Sequence, residues 1–71
     1  MTPFEISRLD TPVGVYRISG RYDLSGRALQ FEWDELAIMG TDGWDKLNPA
    51  SKAGKAQLQK LLPHLLLHLE V

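Results

Sequence analysis

His64 and His68 stand four residues apart. On a helix that spacing puts both imidazoles on one side, where they could share a metal ion. The set is incomplete. No His-Glu-x-x-His arrangement is present and the chain has no cysteine, so two ligands would need more from a second subunit. A structural or solvent-edge role is the reading we adopt, with no metal and no cofactor expected. Carboxylates are more numerous. Glu32, Asp34, Glu35, Asp42 and Asp45 fall in a fourteen-residue stretch without a base, and Trp33 and Trp44 lie among them. Aromatic anchors ringed by charge are a common composition for a protein-binding surface. Trp33 is in phase with Leu29 and Phe31 and reads as core. Trp44 follows a glycine loop and is the better anchor. The expected protein-binding set is therefore Trp44 with Asp42, Asp45, Glu35 and Asp34.

Arg17, Arg21 and Arg27 are the third candidate group. On the outward face of a hairpin they could hold a phosphate or a single nucleic-acid strand. Such a set more often solubilises a sheet face. Eight basic and nine acidic residues leave a net charge of −1, which gives no general pull toward nucleic acid or anionic lipid. Phosphate binding stays as the alternative. Lys52, Lys55 and Lys60 follow later in the chain and read as a polar helix face.

Catalysis has little support. Gly-x-Gly-x-x-Gly, Gly-x-x-x-x-Gly-Lys-Ser/Thr and Gly-x-Ser-x-Gly are all absent, so neither a phosphate-cradling loop nor a nucleophile elbow can be read. The absence of cysteine removes thiol nucleophiles and disulfides together. A chain of 71 residues buries only about 60% of the surface its unfolded form exposes, which leaves few ways to desolvate a carboxylate pair. The expectation is a non-enzyme.

These side chains need elements to position them. Phe4–Leu9 alternates well enough for a short strand, and Asp10-Thr11-Pro12 signals a turn. Val13–Tyr22 is rich in β-branched and aromatic residues and is the firmest strand, with Tyr16, Ile18 and Tyr22 on one face. Gly14 and Gly20 could mark bulges. Asp23–Gly26 reads as a turn. Leu29, Phe31 and Trp33 then share one face of a further strand, but Leu36 and Ile38 have the opposite parity. A bulge or corner at Asp34-Glu35 would bring both sets to one side. The rival is a helix from Ser25 to Gly40. Its apolar residues would spread around most of the circumference, so the strand is preferred.

Gly40–Gly43 reads as a loop or tight turn, where Asp-Gly also allows a hairpin, Trp44–Leu47 as a short turn of helix or the end of a strand, and Asn48-Pro49 as a helix start. Leu58, Leu61, Leu62, Leu65, Leu66 and Leu69 form one stripe of an amphipathic helix. Pro63 sits nearly opposite that stripe, either bending the helix outward or starting a second, shorter one. Leu67 also points away from the stripe and is the candidate contact with another subunit.

The expected architecture is one α+β domain over residues 1–71. A small antiparallel sheet of three to four strands occupies about 3–39, a loop 40–48, and a C-terminal helix about 49–70 covers one sheet face. No segment approaches the ~20 apolar residues that span a bilayer and no leader-like pattern opens the chain, so a cytoplasmic, membrane-free protein is expected. A domain this small with no metal or disulfide gains stability from self-association. The functional expectation is a non-enzymatic protein-binding module, most simply a homodimer, that also engages a protein partner. Small chains of this composition suit phage or mobile-element inhibitors that block a host macromolecule. The further alternatives are a nucleic-acid or nucleotide binder and a structural or assembly subunit.

Overall fold

The computed structural model describes residues 1–26 and 28–70. Four strands, β1 (Thr2–Thr11), β2 (Gly14–Ser25), β3 (Ala28–Gly40) and β4 (Gly43–Leu47), precede one helix, α1 (Lys52–Leu69). The strands lie in sequence order β1-β2-β3-β4, and every neighbouring pair is antiparallel. This is the expected α+β architecture, with the sheet at four strands.

The faces of this sheet depend on two bulges. Along β3, Ser19 pairs with Glu35 and Gly20 with Trp33, so Asp34 is an extra residue on its strand. Strict alternation would put Phe31 and Trp33 on the face opposite Leu36 and Ile38. One inserted residue restores them to the same face. The bulge expected at Asp34-Glu35 is therefore present, and residues 28–40 are strand rather than helix. Gly20 lies opposite it. A Cβ there would run into the Glu32 carbonyl, so β2 and β3 approach here as only glycine allows. The second bulge was not anticipated. In β1, Ile6 pairs with Ile18 and Leu9 with Tyr16, three residues against two. It turns Leu9 onto the inner face beside Ile6.

The segment expected as a loop over 40–48 instead holds β4. Gly40 pairs with Gly43 around a Thr41-Asp42 turn, and Gly43, where the chain leaves the turn, has a φ of 124°, a conformation that residues with a Cβ rarely adopt. The turn expected at Asp23–Gly26 also moves. Asp23 and Leu24 still pair with Gln30 and Leu29, so the hairpin is longer than its turn-forming composition suggested.

The helix starts three residues later than the Asn48-Pro49 signal indicates. Asn48 serves a turn instead: its Oδ1 accepts from the Ala50 N–H at 2.9 Å and its carbonyl accepts from the Ser51 N–H at 3.0 Å. Ser51 is the cap, its Oγ accepting from the Gly54 N–H at 3.0 Å, which satisfies an otherwise unpaired amide. Gly54 makes its close approach to the Asn48 carbonyl. The helix runs unbroken through Pro63, which is exposed, so Pro63 does not start a second helix.

The core lies between the helix and the inner sheet face. Ile6, Leu9, Tyr16, Ile18 and Leu36 meet Leu58, Leu61 and Leu65, and Tyr16, Ile18, Leu61 and Leu65 are fully enclosed. The helix backbone comes nearest the sheet along β1, and elsewhere the layers meet through side chains. The Tyr16 hydroxyl donates to Gln57 Oε1 at 2.7 Å and ties the layers together. Toward the hairpin end of this face, Phe4, Tyr22, Phe31 and Trp33 form an aromatic cluster. Phe31 and Trp33 stack at 4.5 Å, and Phe4 meets Trp33 edge-on at 6.2 Å. No helix among the described residues is long and apolar enough to cross a membrane.

Candidate protein-binding surface

The helix covers one face of the sheet. The other face carries the alternate residues of every strand and, among the described residues, no element lies over it. Pairing places Arg17 beside Ala37, Ser19 beside Glu35 and Arg21 beside Glu32 on this outer face. Trp44 and Lys46 join them from β4, opposite Met39 and Ala37.

Arg17 and Trp44 pack together on this face. The Arg17 guanidinium lies 4.6 Å from the Trp44 ring centre, within the range of a cation–π contact. The pair reaches across Ala37, which is only 1% exposed although it faces away from the core. A small side chain at that position lets the two larger ones close over it. Trp44 is thus half-buried rather than a free anchor.

The bulge shapes the acidic part of the face. Ordinary alternation would send Glu32 and Asp34 to one side and Glu35 to the other. The inserted residue brings all three to the outer face. Arg21 answers two of them, its Nη2 lying 3.0 Å from Glu32 Oε2 and its Nη1 3.4 Å from Asp34 Oδ2. These groups are about half exposed, so the bridges add little stability. Between the charged rows, Ser19 and Gly20 leave the middle of β2 low. Two adjoining depressions result. One of about 440 Å³ is bordered by Phe4, Ser19, Arg21 and Asp34. The other, of about 210 Å³, is bordered by Glu5, Ser7, Arg17 and Glu35. Together they make a trough with carboxylates on both banks.

The expected binding residues are only partly brought together. Trp44, Glu35 and Asp34 share the outer face, and exposed Asp42 sits in the β3–β4 turn beside Trp44. Asp45 does not join them. It pairs with Ile38 and so points to the helix side of the sheet. Two residues that sequence reasoning left out of this set, Ala37 and Ser19, shape the surface by being small. The only available signal was their position opposite Arg17 and Glu35, and that depends on the register.

The arginine group also divides. Arg17 and Arg21 share the outer face, but Arg21 is taken up by two carboxylates and Arg17 by Trp44. Arg27 lies outside the described residues. His64 is half-buried and His68 exposed, and no three His, Cys, Asp or Glu side chains gather into a metal-sized group among the described residues. Leu67 is 78% exposed on the helix face turned from the sheet. No family model matches the chain, and no curated protein or solved structure matches it.

Proposed function

We propose that this protein is a non-enzymatic protein-binding module that self-associates and engages its partner through the outer face of the sheet. The observation that carries the reading is the Arg17–Trp44 stack beside a carboxylate-banked trough on a face that no element among the described residues covers. Tryptophan and arginine held in one arrangement lose little rotamer freedom on binding, and they are the residue types that dominate interface energetics. The trough suits a lysine or arginine side chain of the partner. Glu5, Asp34 and Glu35 would meet its charge and Ser19 would floor the site. The partner is accordingly a protein with a basic patch around an apolar spot. Binding there would act by occupation, as an inhibitor blocks a surface, which is the mode of a small phage or mobile-element protein directed at host machinery.

A photo-crosslinking residue at Ser19, in the trough, should capture one protein in the source cells. The same label at Leu67, across the molecule, should not capture it. An Asp34→Lys/Glu35→Lys variant should keep its far-UV circular dichroism and lose that capture. Equal capture from both positions, or capture indifferent to the charge reversal, would overturn the reading.

A further inference from the structure

The two layers of this molecule differ in charge. Residues 1–47 hold eight acids and five bases, whereas residues 48–71 hold three lysines and one acid, Glu70. Along α1, Lys52, Ala56, Lys60, Pro63 and Leu67 recur at helical spacing, and all five are exposed. They lie opposite buried Leu58, Leu61 and Leu65, on the side turned from the sheet. Lys52 and Lys60 have no ion-pair partner among the described residues, and neither do Glu5 and Glu35 on the banks of the trough. The bases of the outer face leave those two acids unanswered. Arg21 is held by Glu32 and Asp34, Arg17 lies on Trp44, and Lys46 stands diagonally from Glu35 without bridging it.

We infer that copies of this chain associate head to tail, the lysine line of α1 in one copy docking on the carboxylate-banked trough of the next. This rests on the self-association proposed above and assigns it two surfaces. The line and the trough lie on opposite sides of a two-layer molecule, so they cannot meet within one copy. Between copies they can, and a heterologous contact of this kind needs no self-complementary patch. Lysines then face acids, where a two-fold contact through the helix would set Lys52 and Lys60 against lysines.

Spacing supports the same pairing. From Lys60 to Leu67 the helix rises about 10 Å. From Glu35 to Met39 strand β3 advances about 13 Å. A helix laid along β3 with Lys60 at Glu35 therefore brings Leu67 close to Met39, which pairs with Trp44. Leu67 is 78% exposed and Met39 40%, so the contact covers two apolar side chains that the single chain leaves in water. Exposed charges are screened within about 8 Å at physiological ionic strength, so the association is weak, reversible and salt-sensitive. The trough is also the surface assigned to the protein partner, and stacking of copies and capture of that partner exclude each other.

Sedimentation equilibrium on the full chain from micromolar to millimolar concentration tests the assignment, with Lys52→Glu/Lys60→Glu and Asp34→Lys/Glu35→Lys as variants. Circular dichroism checks that both fold, and the salt dependence of the wild-type chain tests the contact without any substitution. The expected wild-type result is reversible association, weakened about fivefold or more as salt rises from about 0.05 to 0.5 M. Each variant alone should stay monomeric, because its helix and its trough then carry the same sign. An equimolar mixture of the two should associate again, because each helix then meets a trough of opposite sign. Association kept by either variant alone, none in the mixture, or a wild-type association indifferent to salt would overturn this pairing of surfaces while leaving self-association standing. A wild-type chain that stays monomeric throughout would overturn both.

Discussion

Replacing Gly20 by alanine tests the device on which both sheet faces depend. The added methyl would collide with the Glu32 carbonyl, a backbone atom that cannot rotate away. Either β2 and β3 must separate beside the bulge or the pairing must slip. Overpacking of this kind costs about 1–3 kcal/mol. A chain of 71 residues has a total stability of about 4–11 kcal/mol, so the loss is a large fraction of it. In a domain this size each kcal/mol lowers Tm by about 4–8 °C, and Gly20→Ala should therefore melt about 4–24 °C below wild type. Ser19→Ala is the matched control. Ser19 is half-buried on the outer face, and the change should stay within about 0.5 kcal/mol. Thermal and urea unfolding followed by circular dichroism at one protein concentration would measure both. Unfolding of Gly20→Ala within about 0.5 kcal/mol of wild type would refute the close approach and, with it, the bulge as the source of the two faces.

Deleting Asp34 should remove the bulge and yet keep Phe31 and Trp33 in phase with Leu36, because regular alternation then joins them; unfolding should stay cooperative, and its loss would refute the reading of Asp34 as the inserted residue. Leu61→Ala, at a fully enclosed position, should cost about 2–5 kcal/mol and lower the urea midpoint in proportion. Tyr16→Phe should cost about 0.5–1.5 kcal/mol by removing the hydroxyl that donates to Gln57. Burial raises the Tyr16 pKa above the usual tyrosine value of 10.0. Its contribution is therefore complete below pH 10 and falls as pH rises through the raised folded-state value, and the alkaline loss of stability should be smaller in Tyr16→Phe. A double-mutant cycle on Arg17→Ala and Trp44→Ala should give a coupling of about 0.5–1 kcal/mol; zero coupling would mean the stack is not held in solution.

Much of the fold is legible in the residues because its signals are local. The leucine stripe from Leu58 to Leu69 repeats at helical spacing, and an amphipathic helix follows from that repeat wherever an apolar face exists to receive it. The parity break between Trp33 and Leu36 is also local, and it calls for a bulge before any partner strand is known. The loop expected at 40–48 failed for the opposite reason. Five residues from Gly43 to Leu47 carry too little periodicity to declare a strand, and β4 forms because Leu36–Gly40 offers an edge to pair with. The cap moved from Asn48 to Ser51 on similar grounds, since either side chain can accept from a free helix amide and packing of the first turn chose between them.

Residue types alone determine that this chain builds an antiparallel sheet with a leucine-faced helix and that its acids gather between positions 32 and 45. They cannot determine which acids share a face. Side-chain direction alternates along a strand, so a single inserted residue reverses everything beyond it. Only the paired structure, with Asp34 bulged over Gly20, places Glu32, Asp34 and Glu35 together, turns Asp45 away, and lets Arg17 close over Ala37 onto Trp44.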